Sequence, residues 1–441
     1  MSVLLVALGF GCSWQNYDLP RGGHFRVFFI NLFWSGVGTL NNSTGLEQTE
    51  KEGVMKKILF VTLSAVFIIG QVFVCCASAA SQSPIKMGAI LHMTGENAIL
   101  GPGLKAALEY RIEQFGGQVA GRKLELIIED DATNPTISVD KARKLVEQDK
   151  VDVVLGPVHG AAAPAVANFL TASKTVHFPF QPKSIRILGF GGGNIFLPLG
   201  THKNLGYYLG LYAYDKLGYR TATAAVEDFV AGQEFVGSAI DAFQSKGGKV
   251  IQTQPIKPGT LDFSPNIAAM KQADAVFFWF TPVLAQRFVS QYYAAGKTMP
   301  LVIPNCAVLF PKSLKEIGEK SIGIIGTGSY TSLIETPMNK TYVANFMKKY
   351  NSVPTTEGIS ADVALTLYVE AVKATAGDTS SEKIIEALKK IKVETPAGAF
   401  SFRSDGLGIG DLYIMKVTKL PDRLDWAVAD KYSQIELDVP K

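Results

Sequence analysis

The sequence predicts an α/β fold of two similar lobes, each a parallel sheet with helices on both faces. Three observations predict it. From Ile85 onward, apolar strand-like runs alternate with amphipathic helical patterns. The alternation runs through two successive sets, with the second resuming after about Thr201. The chain has 441 residues, 47% of them hydrophobic, which is more than one ordinary domain needs and enough for two cores.

In the first set, Ile85 to Leu91 reads as a strand and Gly103 to Phe115 as a helix. Leu104, Ala107, Leu108, Arg111 and Ile112 share helical spacing, and Gly116-Gly117 ends the helix. Lys123 to Glu129 is the next strand, Val139 to Gln148 a helix, and Val151 to Leu155 a short buried strand. Ala161 to Leu170 is a helix and Thr175 to Phe178 a strand. The second set opens with a helix over Asn204 to Leu217, followed by strand Thr221 to Val226, helix Gly232 to Ser245 and strand Lys249 to Thr253. Strand Ala275 to Phe280, helix Val283 to Ala295 and strands Leu301 to Ile303 and Ile322 to Gly326 complete it. In such sheets a ligand binds where the carboxyl ends of strands from the two lobes face each other.

The N-terminal region reads differently. Lys56 and Lys57, an apolar run from Ile58 to Val74, and Ala77-Ser78-Ala79 form a secretory signal at 55–80 that starts at Met55. An uncleaved anchor is the alternative, because the run is close to spanning length. Residues 1–54 show no sustained periodicity and are expected to be an upstream extension foreign to the native protein. Lys51-Glu52-Gly53, encodable by a purine run just before the Met55 codon, agrees with that. Export leaves Cys306 as the one thiol of the mature chain, with Cys12, Cys75 and Cys76 removed, so no internal disulfide is expected.

Composition and motifs exclude several functions. A net charge of +4 lacks the basic stripe that nucleic acid requires. Gly189-Phe190-Gly191-Gly192-Gly193 lacks phosphate-loop spacing and reads as a turn. His24, His92, His159, His177 and His202 are scattered without metal-ligand spacing. Asp130-Asp131 closes a strand, with a solvated or capping role. No nucleophile–base pair is recognisable, so neither an enzyme nor a cofactor is expected.

Several segments in order resemble the periplasmic binding proteins of the leucine/isoleucine/valine-binding type. They are Gly88 to Gly95, Phe115 to Arg122 with Leu124 to Asp131, and Val151 to Pro157. Asp262 to Pro265, Ala273 to Val276, Ile384 to Leu388 and Gly398 to Gly406 continue the match. The resemblance spans about Ile85 to Val417. It implies two Rossmann-like lobes joined by three hinge crossovers near Thr201, Leu333 and Ala399. Lobe 1 is then 85–200 plus 334–398, and lobe 2 is 201–333 plus 399–441. It also implies a monomeric periplasmic receptor that closes on a small organic ligand and docks on an ABC permease in the inner membrane. A sensory module of the same fold is the competing reading.

Against that family pattern the ligand loops depart. Pro157 to Ala163 contains no hydroxyl where relatives use Ser or Thr. Gln181-Pro182 stands at the expected Ala-Thr pair, and neutral Asn305 at the acid position. A buried ammonium without a carboxylate is costly, which argues against a free amino acid, although branched-chain amino acids on a modified clamp remain an alternative. Phe180, Phe229, Trp279 and Phe280, with His159, Gln181 and Asn305, suit an aromatic or apolar carboxylate or amide. The N–H groups of Gly160 and Ala161 at a helix start are candidate carboxylate donors. His159 as a loop cap, and the aromatics as core, stay open as the plainer readings.

Overall fold

The structure is a computed structural model that describes residues 12–18, 24–30 and 83–439. In the upstream stretch, β1 (Cys12–Asp18) and β2 (His24–Ile30) pair antiparallel as a hairpin. The sequence reading assigned no strands there, although Phe25, Val27, Phe28 and Phe29 have the aromatic and β-branched character that favours pairing. The signal segment expected at 55–80 lies outside the described residues. Ser81–Lys441 forms a compact unit by itself. Among the described residues no helix is long and apolar enough to cross a membrane.

The first sheet contains β3 (Ile85–Leu91), β4 (Gln118–Val119), β5 (Arg122–Asp130), β6 (Val153–Leu155) and β7 (Val176–Phe178). Its order is β4-β5-β3-β6-β7, parallel except where β4 turns back on β5. Strands β6 and β7 are wholly buried, and β6 accordingly reads as a short continuous apolar run.

The second sheet begins with β8 (Thr221–Glu227), β9 (Lys249–Ile256), β10 (Ala275–Trp279), β11 (Leu301–Ile303) and β12 (Ile325–Gly328), all parallel. An antiparallel extension then joins β12: β15 (Gly408–Lys419), flanked by β14 (Gly398–Phe402) with β13 (Lys392–Thr395), and by β16 (Leu424–Glu436). The parallel sheet expected for this lobe is therefore mixed. The connections among β13 to β16 are too short for parallel crossovers, so those strands must run antiparallel.

Between β12 and β13 the chain returns to the first sheet's side. Helix Thr356–Ala374 packs on helix Gly101–Gln114, and helix Ser381–Leu388 packs on β7. The sequence reading placed no helix over Thr356–Ala374, because it is apolar on nearly every face and lacks an amphipathic stripe. Asp362, fully buried in this helix, takes two bonds of 2.9 Å from the Arg111 guanidinium. That bidentate pair fixes the rotation of the helix, and hence the position of its first turn. The chain thus passes between the two sheets three times.

One close helix contact also matters for the site. Helix His202–Asp215 lies against helix Val230–Ser245 with Gly206 and Gly210 at the crossing. A Cβ on Gly206 would lie 2.0 Å from the Phe235 carbonyl, and one on Gly210 would lie 2.2 Å from that of Ala239. Only glycine permits this approach, which brings His202 against Phe235 with ring centroids 4.6 Å apart.

Candidate functional site

Loops at the carboxyl ends of β3, β6 and β7 and of β8, β10 and β11 line one cavity. Its empty volume is about 740 Å³, solvent at the mouth included. That falls within the roughly 300–1,000 Å³ usual for small-molecule sites. A parallel strand delivers the chain to this edge, so side chains just beyond each strand end meet there whatever their separation in sequence.

Of the expected residues, His159, Gly160, Ala161 and Gln181 line the cavity from the first sheet's loops. Phe229, Trp279 and Asn305 line it from the second. Phe180 and Phe280 do not. Phe280 is fully buried against Phe263 and Phe288, with centroids 5.0 Å away in both pairs. It follows Trp279 directly, and successive strand side chains point to opposite faces. Phe180 is also fully buried; its ring fills the space beside Gly156, 3.3 Å from where a Cβ there would stand.

The backbone donors also differ from expectation. Helix Ala163–Ala172 starts later than the sequence suggested. The Ala161 N–H is already engaged, donating to His159 Nδ1 at 3.2 Å. His159 therefore caps its loop and lines the cavity at once. Because Nδ1 accepts, Nε2 carries the proton of the neutral ring and is a donor. Burial, with the nearby His92 ring, pushes the His159 pKa down to about 4, so the ring is neutral at ordinary pH.

Gln181 adopts φ of +64°, a left-handed conformation that costs a non-glycine residue energy. Its amide Nε2 donates to the Thr356 carbonyl at 3.3 Å, tying the β7 loop to the start of helix Thr356–Ala374. Asn305 Oδ1 accepts from the Ala307 N–H at 3.1 Å and caps the turn that holds Ala307 and Val308 at the cavity.

Trp279 is 5% exposed. It stacks on Phe235 at 5.0 Å and meets Phe229 at 5.6 Å, so three aromatic rings form one wall. Its indole N–H is buried without a partner. A buried unpaired donor is expensive, and it marks where a ligand acceptor gains most.

The structure adds four titratable groups that the sequence reading did not select: His92, Lys183, His202 and Glu357. His92 Nδ1 sits 2.6 Å from Asp131 Oδ1, and Ser138 Oγ donates to the other oxygen of Asp131. Asp131 is wholly buried, orients the imidazole and accepts from the Thr133 N–H at 3.0 Å, so of the solvated or capping role expected for it the capping part holds. Asp130 caps as well: it accepts from the Met93, Thr94 and Ala132 N–H groups. Lys183 Nζ donates to the Val158 carbonyl at 3.0 Å and also to the Phe180 and Pro182 carbonyls. Burial alone pushes its pKa down to about 7. His202 pairs with Glu234 at 2.9 Å. Glu357, in the first turn of its helix, is 4% exposed, and its Oε1 has no partner. Burial pushes its pKa up to about 7.

His92 stands just after the end of β3, so that position was legible as a candidate, whereas Lys183 lies deeper in the loop after β7 and no local pattern marks it. Glu357 carries no local signal, since only the return of its helix to the first sheet brings it here. Among the described residues no group of His, Cys, Asp or Glu side chains is arranged to hold a metal ion.

Three comparisons bear on this architecture. The chain is 24% identical to Leu/Ile/Val-binding protein homolog 6 of Brucella suis over 390 residues, covering 83% of this chain and 94% of that protein. An ABC transporter substrate-binding protein from Sphaerobacter thermophilus superposes with a TM-score of 0.75 at 26% identity, over 80% of this chain and 99% of that one. A solute-binding protein of an ABC transporter from Rhodopseudomonas palustris, in complex with 3,4-dihydroxy benzoic acid, gives a TM-score of 0.75 at 25% identity, over 80% of this chain and 98% of that one. The profile of the periplasmic binding proteins matches residues 84–421, which include the first sheet, the second sheet as far as β15 and each cavity loop; the chain belongs to that family.

Proposed function

We propose that this protein is the extracytoplasmic receptor of an ABC-type importer for a small aromatic carboxylate. The observation that carries the reading is the cavity itself. One wall is the aromatic group of Phe229, Phe235 and Trp279; the other holds the donor edge of His159 and Lys183, whose N–H groups are taken by backbone carbonyls and which has no acidic partner among the described residues. A flat apolar body fits the first wall and an anion fits the second. The Rhodopseudomonas palustris protein, bound to a dihydroxylated benzoic acid, supports the same ligand class.

In this reading Met55 opens a secretory signal, and residues 1–54 lie upstream of the native protein. Lobe 1 comprises 85–200 plus 334–398, and lobe 2 comprises 201–333 plus 399–441. The lobes close on the ligand, and the monomer delivers it to a permease.

One observation favours a second reading. Glu357 supplies the buried acid that was missing at Asn305, so an amino-acid ammonium has a partner after all, as the name of the Brucella relative would suggest. A thermal-shift panel separates the two. At a hundredfold excess over Kd a ligand adds about 2.7 kcal/mol of stability, which is visible as a shift of several degrees. Benzoate-type acids are expected to shift the melt, and leucine and valine are not. The reverse pattern would establish the amino-acid reading.

A further inference from the structure

Glu357 makes a more specific demand on the ligand than an aromatic acid alone satisfies. We propose that the ligand is a hydroxylated aromatic acid and that Glu357 is the specificity residue that accepts the hydrogen bond of its ring hydroxyl. This rests on the aromatic-carboxylate reading above and deepens it.

Glu357 lines the cavity, is 4% exposed and leaves Oε1 without any partner. No cation neutralises it: its partners are the Thr355 side chain and backbone of its own turn. A buried carboxylate oxygen left unpaired costs more than the net worth of an ordinary hydrogen bond, so a ligand donor placed there recovers a penalty already present. The position is also held firmly. The Arg111–Asp362 pair sets the helix rotation, Thr355 caps the first turn by accepting from the Gly358 N–H at 3.0 Å, and Gln181 bonds the Thr356 carbonyl. A preorganised acceptor loses little entropy on binding.

The donor cannot be the carboxylate itself, which has no proton at neutral pH. A ring hydroxyl has one. It also has lone pairs, so a second hydroxyl of the same chemical class can serve Trp279 Nε1, the orphaned polar atom of the aromatic wall. A site with a buried acceptor rejects the analogue that lacks the donor, because the acceptor is then sealed away from water unpaired.

Calorimetric titration of benzoate, 4-hydroxybenzoate and leucine against the wild-type protein, Glu357→Leu and Glu357→Gln tests this. The wild type is expected to bind 4-hydroxybenzoate about tenfold or more tightly than benzoate. Glu357→Leu is expected to abolish that preference by weakening the hydroxylated acid about tenfold or more relative to benzoate. Glu357→Gln, which keeps a weaker acceptor, is expected to fall between. Equal wild-type affinity for the two acids, or a preference that survives Glu357→Leu, overturns this proposal alone. Equal loss of both acids in the variant also overturns it, by placing Glu357 on the carboxylate. Leucine binding that depends on Glu357, with neither acid bound, overturns both this proposal and the aromatic-acid reading.

Discussion

The two walls of the cavity are built on opposite principles. The loops of the first sheet, with the start of helix Thr356–Ala374, contribute titratable and polar groups: His92, His159, Gln181, Lys183 and Glu357. The loops of the second sheet contribute rings and apolar side chains, with Asn305 and Thr281 as the neutral polar members. One wall reads charge and hydrogen bonds, and the other reads shape. The difference matters because the two kinds of recognition fail differently. Apolar contact tolerates small changes in the ligand, whereas a buried polar group that loses its partner does not. Under the proposed function, discrimination between related ligands is expected to reside mainly on the first wall, and most of the general affinity on the second.

The largest effect on binding is expected at the aromatic wall. Trp279→Ala removes a ring packed between Phe229 and Phe235. It is expected to weaken the cognate ligand on the order of 100-fold, the scale of a buried aromatic anchor. Calorimetry on a variant with a normal circular dichroism spectrum checks it. Unchanged affinity would move Trp279 into the core and break the division between the walls.

The polar wall should declare itself through pH. Burial raises the pKa of Glu357 from 4.5 to about 7, so the folded state holds a proton that the unfolded chain has released across that window. The stability associated with that proton is present below pH 4.5 and lost as pH rises through about 7. Glu357→Gln cannot ionise. It is expected to gain about 1–3 kcal/mol over the wild type at pH 8 and nothing at pH 4. Urea unfolding across that range measures the difference, and a gap independent of pH would show that Glu357 is not buried as described.

The smallest binding effect is expected behind the walls. Phe280→Leu is predicted to cost about 1–2 kcal/mol of folding stability and to leave ligand affinity unchanged. A clear loss of affinity would return Phe280 to the site.

The loops themselves were legible in the sequence. Val153–Leu155, Val176–Phe178 and Ala275–Trp279 end in loops that meet at the cavity; each was recognisable as a short strand, and the first and third have helical spacing directly after them. Which side chain of a loop faces the cavity was less so. Trp279 and Phe280 are adjacent and chemically alike, and only the phase of the strand separates them. Lys183 was less legible still, because its three carbonyl acceptors come from two loops and no local pattern announces them.

By itself the sequence determined the alternation of strands and helices, the two-sheet architecture and the family. The first two follow from periodicity and turn chemistry, which act over a few residues at a time; the family follows from the resemblance carried by ordered segments between Ile85 and Val417. It also determined that the loop over Pro157 to Ala163 has no hydroxyl to offer. The tertiary structure alone decided that a glutamate on a helix returning to the first sheet lines the cavity. Glu357 lies 176 residues beyond Gln181, whose amide bonds the residue before it, at Thr356. A contact of that span is set by helix packing and the Arg111–Asp362 pair, and no short-range pattern encodes it.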